Sequence, residues 1–265
     1  MPTPIILFGA SGRMGQEILA LASARHDVRV VSALVRPGSR MDGELVWPAL
    51  PESLAYDSVL EPEQQAEVLV DFSSAASFDA ALALAVEREM AFVCGTTGLS
   101  ESQREALDHA AARIPVLWSA NFSIGVALLR RLAADAAAAL GEEFDVEIIE
   151  AHHRHKRDAP SGTALTLGRA IAEARGRTLD EVGVFARQGL VEPRALGEIG
   201  FATVRGGDIA GDHTVLFAGE GERLEFTHRA SSRAVFARGA LRAARWIAGR
   251  SAGRYTLDQA VAAPD

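Results

Sequence analysis

An apolar segment that leads into three regularly spaced glycines is the feature that most restricts the fold of this chain. Residues 4–8 read PIILF, the glycines are Gly9, Gly12 and Gly15, and a helical pattern covers residues 13–24. Glycines let such a turn bend tightly and approach a pyrophosphate, and the following helix N-terminus attracts its negative charge. A strand, a glycine turn and a helix in this order predict a dinucleotide-binding unit. The alternative is a glycine turn with a purely structural role.

Strand-like and helical segments alternate from this turn to about residue 120. Further strands are predicted at residues 27–35, 67–74, 91–98 and 115–120, and further helices at residues 75–89 and 100–113. Ser100 with Gln103 predicts a capping box, whereas residues 44–66 contain three prolines and are predicted to be irregular. The alternation indicates a parallel sheet covered by helices on both faces, as in a Rossmann-type doubly wound domain.

The pattern changes after residue 123. A long helix is predicted at residues 124–140, a strand at "FDVEIIEAHH" and a helix at residues 161–175. Strand-like runs follow at "EVGVFAR", "EIGFATVRG", "HTVLFAG" and "ERLEFTHRA", and "GEGE" joins the last two as a hairpin. These strand-like runs predict a mostly antiparallel sheet with helices on one side. A last helix is predicted near residues 232–248, and it returns to the first domain. The predicted class is α/β, with a dinucleotide-binding domain (1–123 with 233–265) and an inserted C-terminal α+β domain (124–232).

Composition excludes several classes of partner. The 265 residues include 35 acidic and 27 basic side chains, giving a net charge of −8, so a general nucleic-acid binder is not expected. No apolar run approaches the ~20 residues that span a bilayer, so no membrane partner is expected. Cys94 is the one cysteine, which leaves no internal disulfide and no cysteine-rich zinc site. The prediction is a cytoplasmic protein.

The end of the second predicted strand bears on which nucleotide is bound. An acid that holds a ribose 2′-hydroxyl is expected about 20 residues after the last glycine, but Val35 occupies that place. Arg36 follows it, and a guanidinium there suits a 2′-phosphate. We therefore predict that NADPH is preferred to NADH; the alternative is a solvated loop arginine. "GTTG" (95–98) and "SANF" (119–122) end two further strands, and they are predicted to face the nicotinamide.

A second concentration of functional residue types is "EAHHRHKRDAPSGTA", residues 150–164. Three histidines, one lysine and two arginines lie between residues 152 and 157. A metal site is one reading, although the neighbouring cations would repel a divalent ion. A solvated basic turn is another. The third is an anion-handling catalytic site, because Lys156 supplies a positive charge and a histidine exchanges protons near neutral pH. In this third reading, Ser161 caps the next helix, and the amides near Gly162 and Thr163 bind a carboxylate.

This fifteen-residue segment resembles the signature of the dihydrodipicolinate reductase family. The resemblance covers essentially the whole chain, including "GASGRMG", "VDFSS", "GTTGLS", "SANFSIGV", "GGDIAGDHTVLF" and "RASSRAVFARGALRAARWI". It implies a Rossmann domain followed by a substrate-binding and oligomerisation domain whose sheet builds a homotetramer. The implied activity is the NAD(P)H-dependent reduction of 4-hydroxy-tetrahydrodipicolinate, a small cyclic dicarboxylate, to tetrahydrodipicolinate with loss of water, in lysine and diaminopimelate biosynthesis.

The resemblance also implies roles for individual residues. His152 is the proton donor or acceptor, Lys156 is the other catalytic group, His153 contacts substrate, and Gly162 and Thr163 hold a substrate carboxylate. No metal is implied. The implied cofactor contacts are Gly9, Ala10, Ser11, Gly12, Arg13, Met14, Arg36, Gly95, Thr96, Thr97, Ser119, Ala120, Asn121 and Phe122. Family members often carry an acid where this chain has Val35, which puts the use of NADH in question.

Two rival classes remain open from the residues alone. One is another two-domain reductase, such as a semialdehyde or polyol dehydrogenase. A thioester-forming semialdehyde dehydrogenase needs a nucleophilic cysteine, but Cys94 lies inside a predicted buried strand. A polyol dehydrogenase would not need so basic a pocket. The other rival is a cofactor-binding sensor, which would bind NADPH without turning over the cyclic substrate.

Overall fold

The computed structural model describes residues 1–46, 54–190 and 192–263. Residues 47–53, part of the segment predicted to be irregular, lie outside this range. The chain divides into two compact units. The first unit is Met1–Ile124 with Arg233–Asp265, and the second unit is Gly125–Ser232. None of the helices within the described ranges is long and apolar enough to cross a membrane.

Strands and helices are numbered along the chain. The strands are β1 (Thr3–Phe8), β2 (Val28–Leu34), β3 (Tyr56–Asp57), β4 (Val68–Asp71), β5 (Ala91–Cys94), β6 (Pro115–Trp118), β7 (Asp145–His152), β8 (Gly183–Val184), β9 (Ile199–Arg205), β10 (Gly211–Ala218), β11 (Arg223–Ala230) and β12 (Gly253–Tyr255). The helices are α1 (Arg13–Ser23), α2 (Ala75–Glu87), α3 (Glu101–Ala111), α4 (Ile124–Leu140), α5 (Gly162–Ala174), α6 (Leu179–Val182), α7 (Ala234–Ile247) and α8 (Leu257–Ala262).

A seven-stranded parallel sheet organises the first unit. Its strand order is β12-β6-β5-β4-β1-β2-β3, and the described strand pairs are all parallel. Every residue of β4 and β5 is buried, because helices cover both faces of the sheet. The predicted Rossmann-type parallel sheet is therefore confirmed, and so is the capping box of Ser100 and Gln103 at the start of α3.

A five-stranded sheet, in the order β11-β10-β7-β9-β8, organises the second unit. Buried and less buried side chains alternate along β7, and one face of the sheet packs against α4 and α5. Val146, Ile148 and Phe217 on that face form a core with Leu129 and Ile171 of the helices. The hairpin predicted around "GEGE" is confirmed, since β10 and β11 pair in antiparallel register.

Several details differ from the sequence predictions. The second sheet is mixed rather than mostly antiparallel, because β7 pairs in parallel with β9 after the crossover through α5. The segment "EVGVFAR" is not one strand. It begins within α6, where the Thr178 N–H donates to the Glu181 carboxylate (2.9 Å), and only Gly183–Val184 pairs as a strand. The sequence predictions also missed β12, which pairs with β6 at one sheet edge, and the short helix α8. The segment predicted to be irregular contains β3, which pairs with β2.

Candidate active site

The glycine turn of the first unit joins β1 to α1. Gly9 has a φ of +81°, and a Cβ there would lie 2.8 Å from the carbonyl oxygen of Phe72. Glycine is therefore needed both for the left-handed backbone and for the close approach of the β4 end. Gly12 precedes the first residue of α1, and no side chain caps that helix start. The first-turn N–H groups are thus not satisfied by a side-chain cap, which suits a phosphate ligand.

The loops that follow β4, β5 and β6 are tied to one another at the same edge of the sheet. The Thr96 hydroxyl donates to Asp71 (2.8 Å), and the Ser73 N–H lies 3.1 Å from the Thr96 oxygen. The Trp118 indole donates to the Thr96 carbonyl at 2.9 Å. The rings of Phe72 and Phe122 lie 5.3 Å apart, centroid to centroid. The structure therefore brings the predicted segments at 95–97 and 119–122 to the carboxyl ends of the parallel strands.

Asp71 is a further residue of this edge, and the sequence predictions did not include it. It is completely buried and accepts hydrogen bonds from the Ser73 N–H (3.0 Å), the Thr96 hydroxyl and the Cys94 thiol (3.3 Å). Burial raises the pKa of Asp71, although these hydrogen bonds oppose the shift. A charged residue ending an otherwise apolar buried strand was the available signal. Its contacts join the loop after β4 to the predicted cofactor segment at residues 95–97.

The predicted nucleotide-selecting residues follow β2. Val35 is buried, and its N–H donates to the Asp57 carbonyl at 2.9 Å. Arg36 is exposed immediately beyond it, on the same carboxyl-end edge as the glycine turn. Among the described residues, no hydrogen bond or ion pair joins the Arg36 guanidinium to the glycine turn or to the loops after β4, β5 and β6. The residues present fit a dinucleotide, since a turn without side-chain obstruction, an uncapped helix start and an exposed guanidinium follow adjacent strands.

Strand β7 positions the site of the second unit. Its buried face carries Glu150 and His152 after two apolar residues, and the two are 1% and 8% exposed. His152 Nδ1 lies 2.6 Å from Glu150 Oε2. Burial lowers the pKa of His152, although the Glu150 carboxylate opposes this by favouring the imidazolium. The neighbouring Lys156 and Arg205 add to the lowering. The pair has the geometry of an oriented acid–base histidine.

Arg205 keeps the buried Glu150 ionised. The two terminal guanidinium nitrogens each donate to one carboxylate oxygen at 2.7 Å, which is a bidentate pair. Burial alone would raise the pKa of Glu150, but the hydrogen bonds from Arg205, His152 and the Ser161 N–H lower it to about 2. Glu150 is therefore ionised at neutral pH.

Ser161 connects this pair to the N-terminus of α5. Its N–H donates to Glu150 Oε1 at 3.0 Å, and its hydroxyl accepts from the Ala164 N–H at 3.2 Å, as the predicted helix cap requires. The same hydroxyl lies 3.0 Å from Nε2 of His213, which is buried at 3% exposure. Gly162 and Thr163 form the first turn of α5, where backbone amides attract an anion.

The rest of the basic segment lies beyond the end of β7. Lys156 Nζ lies 2.9 Å from the Asp158 carboxylate. Burial opposes ionisation of Asp158, yet the hydrogen bond from Lys156 lowers its pKa overall. His153 is half-buried, and its ring centroid lies 6.3 Å from that of His155. In residues 1–46, 54–190 and 192–263 no group of three or more histidine, cysteine or acidic side chains is arranged to hold a metal ion.

The structure thus brings His152 and Ser161 into one cluster, with Gly162 and Thr163 on the next turn. Glu150, Arg205 and His213 also belong to it, and the sequence reading assigned none of them. Glu150 was detectable, because a glutamate on the buried face of an alternating strand needs partners. Arg205 and His213 lie on β9 and β10, and no local pattern predicts that these strands flank β7.

Cys94 is the last residue of β5 and pairs with Asp71 near the carboxyl-end edge of the first sheet. It is completely buried, and burial next to Asp71 strongly raises the pKa of its thiol. A thiol in this environment is a poor nucleophile, because the thiolate is the reactive form. This observation argues against a thioester-forming dehydrogenase.

Together, a Rossmann-type unit and a carboxylate–histidine cluster define a nicotinamide-dependent oxidoreductase built from two units. The model of the dihydrodipicolinate reductase N-terminus matches residues 3–122, and the model of its C-terminus matches residues 125–261. The chain belongs to the dihydrodipicolinate reductase family, and the resemblance noted in the sequence is confirmed.

Individual relatives agree with this assignment over nearly the full length. The chain is 48% identical over 261 residues to 4-hydroxy-tetrahydrodipicolinate reductase of Thiobacillus denitrificans, covering 97% of each. It is 48% identical over 258 residues to the protein of the same name from Pseudomonas fluorescens SBW25, covering 96% of each. The structure of a dipicolinate-bound dihydrodipicolinate reductase from Paenisporosarcina sp. TG-14 matches with a TM-score of 0.73 at 26% identity, covering 97% of this chain and 98% of that one.

Proposed function

We propose that this protein catalyses the NAD(P)H-dependent reduction of 4-hydroxy-tetrahydrodipicolinate to tetrahydrodipicolinate, with loss of water, in lysine and diaminopimelate biosynthesis. The observation that carries the proposal is the buried Glu150–His152 pair beside the capped N-terminus of α5, in a chain of this family. An acid–base group next to an anion-binding helix start suits a small cyclic dicarboxylate.

The residues of the second unit have distinct roles in this proposal. Gly162 and Thr163 bind one substrate carboxylate, and His153 contacts the substrate. When bound, the reduced nicotinamide supplies the hydride. Lys156 stabilises the negative charge that develops on the conjugated carbon and nitrogen atoms as the hydride adds to the dehydrated, imine-containing ring. His152 then donates a proton to the resulting enamine, a step worth roughly 10²- to 10⁴-fold in rate.

The first unit binds the dinucleotide in this proposal. The contacts are those of residues 9–14, 95–97 and 119–122, and Arg36 binds the 2′-phosphate of NADPH. Two features support a preference for NADPH: Val35 offers no acceptor for a ribose hydroxyl, and Arg36 is exposed at the end of β2.

The test is nicotinamide oxidation with freshly generated 4-hydroxy-tetrahydrodipicolinate, with NADPH and NADH assayed in parallel. We expect rapid oxidation of NADPH and a lower kcat/KM with NADH. Equal or better kcat/KM with NADH would contradict the role of Arg36 while leaving the reaction in place. A protein that binds NADPH and oxidises neither cofactor would contradict the reaction and favour a sensor.

The proposal extends to assembly and location. The proposed form is a cytoplasmic homotetramer built on the second sheet. Apolar side chains on the sheet face away from α4 and α5 support the tetramer. Ile149 and Val204 are 39% and 49% exposed in the single chain. Light scattering during gel filtration tests the tetramer, and a monomer at micromolar concentration would contradict it.

A further inference from the structure

We propose that Glu150 is a positioning residue that couples the two halves of the substrate site. One oxygen of its carboxylate fixes which nitrogen of His152 exchanges protons, and the other holds the start of α5. The inference rests on the proposed function, because it assigns a task to a group that does not itself touch substrate.

The contacts of the carboxylate divide between its two oxygens. Oε2 faces His152 Nδ1 at 2.6 Å and one terminal nitrogen of Arg205 at 2.7 Å. Oε1 accepts from the Ser161 N–H at 3.0 Å, the Thr203 hydroxyl at 3.3 Å and the other terminal nitrogen of Arg205 at 2.7 Å. A single buried group, 1% exposed, therefore contacts the proton donor on one side and the helix cap on the other.

The Oε2 contact determines the tautomer of neutral His152. An ionised carboxylate only accepts hydrogen bonds, so the ring nitrogen that faces it, Nδ1, carries the hydrogen. Nε2 is then the nitrogen that gains and loses the proton. A Cβ at position 211 would lie 3.1 Å from Nε2, so Gly211 leaves this side of the ring uncovered. The carboxylate also stabilises the imidazolium, the form that donates a proton.

Arg205 makes this arrangement independent of pH near neutrality. Without it, burial would favour the protonated acid, whose O–H would donate to Nδ1 and reverse the tautomer. The bidentate pair contributes to the lowered pKa of Glu150, so the carboxylate remains an acceptor. Arg205 also donates to the Asp158 carbonyl at 2.6 Å, which ties the segment after Lys156 to the same carboxylate.

The Oε1 contact acts on the carboxylate-binding end of α5. Ser161 is the residue before the helix, and its own N–H is anchored to Glu150 while its hydroxyl caps Ala164. The direction of the first-turn amides at Gly162 and Thr163 therefore depends on Glu150. Loss of this anchor should raise the KM for a dicarboxylate, whereas loss of the His152 contact should lower kcat.

The decisive variant is Glu150→Gln, which preserves the shape and removes the charge. Its amide can donate to Nδ1 of His152 and thereby place the ring hydrogen on Nε2. We expect kcat with NADPH to fall about 100-fold, the size of a general acid–base contribution. The high-pH limb of kcat should move to lower pH, because the anion that favours protonated His152 is gone. The dissociation constant for NADPH, measured by calorimetry, should stay within about twofold of the wild-type value.

Glu147→Gln is the matched control. Glu147 lies on the same strand and also pairs with arginines, Arg187 at 2.8 Å and Arg194, but the described contacts join it to neither His152 nor Ser161. Its kcat, KM and pH profile should match the wild-type values. A Glu150→Gln enzyme with kcat within about twofold of wild type and an unshifted pH profile would overturn the proposal.

A spectroscopic measurement covers the case in which Glu150→Gln does not fold. Nitrogen-15 NMR of the wild-type protein labelled at histidine distinguishes the two neutral tautomers, and a His152→Asn sample assigns the signal. We expect neutral His152 to carry its hydrogen on Nδ1; hydrogen on Nε2 would refute the inference. This result does not depend on turnover, so it separates failure of the inference from failure of the proposed function.

Discussion

At the scale of single residues, His213 is a buried histidine whose surroundings change its protonation. It is 3% exposed, its Nε2 lies 3.0 Å from the Ser161 hydroxyl, and its ring centroid lies 5.1 Å from that of His152. Burial, reinforced by the nearby His152, lowers the pKa of His213 to about 4. His213 is therefore neutral at pH 7 and adds no second positive charge beside the proposed proton donor.

This lowered pKa predicts a loss of stability in mild acid. An unfolded histidine binds a proton below about pH 6.5, whereas folded His213 binds one only below about pH 4. Between these values the unfolded state holds more protons, so the free energy of unfolding falls as the pH falls. Replacing His213 with glutamine removes this dependence. The destabilisation caused by His213→Gln should therefore be smaller at pH 5 than at pH 7, by about 2 kcal/mol.

Urea unfolding followed by circular dichroism at pH 7, 6 and 5 measures the difference between the two proteins. Intrinsic fluorescence would not report unfolding of the second unit, because every tryptophan and tyrosine of the chain lies outside residues 125–232. Circular dichroism reports the unfolding of both units. The other histidines with lowered pKa values, His152 and His228, remain in both proteins, and their contributions cancel in the comparison. A cost of substitution that does not change with pH would show that His213 titrates normally in the folded state.

At the scale of elements, the packing of α7 depends on a glycine in its middle. A Cβ at Gly239 would lie 1.7 Å from the Phe122 carbonyl oxygen, in the segment proposed to bind the cofactor. In an ordinary exposed helix, glycine to alanine would gain about 1 kcal/mol. Here α7 must move or the segment after β6 must shift. We expect Gly239→Ala to cost at least about 2 kcal/mol of unfolding free energy, as overpacking of a core does.

Trp118 and Trp246 lie in the first unit, so their fluorescence follows its urea unfolding. Arg238→Ala is the control, because Arg238 is the exposed neighbour on the same helix. It should change stability by no more than about 0.5 kcal/mol. If Gly239→Ala is as stable as the wild type or more so, the close approach of α7 to Phe122 is wrong.

The helices and strands also show which parts of the fold can be predicted from the sequence alone. Local patterns suffice where one segment determines its own structure: α4 begins and ends as predicted, and the caps of α3 and α5 are those expected from Ser100 and Ser161. Local patterns fail where the structure depends on pairing between segments that are distant in the sequence. The parallel pairing of β7 with β9 depends on the crossover through α5. The hydrophobic pattern of the sequence therefore predicts neither the mixed sheet nor the hydrogen bond between Arg205 and Glu150.

The candidate site also contains residues that the sequence predicts and partners that it does not predict. His152, Lys156, Gly162 and Thr163 lie within one short segment, so spacing and residue type were enough to select them as candidates. Their partners were not predictable from that segment. Glu150 is oriented by the alternation of β7, but His213 comes from 52 residues beyond Ser161, and tertiary packing alone joins them.

At the scale of the whole molecule, the proposed cofactor and substrate residues belong to different compact units. Residues 9–14, 36, 95–97 and 119–122 are in the first unit, and residues 152–163 are in the second. Because the glycine turn and its loops are held by contacts within the first unit, we expect NADPH binding to survive changes in the second. His152→Ala and Lys156→Ala should each lower kcat about 100-fold or more. The NADPH dissociation constant should stay within about twofold of the wild-type value.

Stopped-flow kinetics and calorimetry with NADPH provide the two measurements. Arg157→Ala is the control, since Arg157 is an exposed cation of the same segment with no assigned role. Its kcat should equal that of the wild type. Parallel losses of turnover and NADPH affinity in His152→Ala and Lys156→Ala would mean that the two residues maintain the fold rather than the chemistry.

The order of the chain has a consequence for how a newly made molecule matures. The ribosome produces β1 to β6 early, but β12 and α7, which pack on that sheet, come after the entire second unit. The second unit is continuous and is complete once Ser232 has emerged. The unit that starts first is therefore finished last, and until Ile247 is out of the exit tunnel the sheet that carries the glycine turn lacks one of its covering helices.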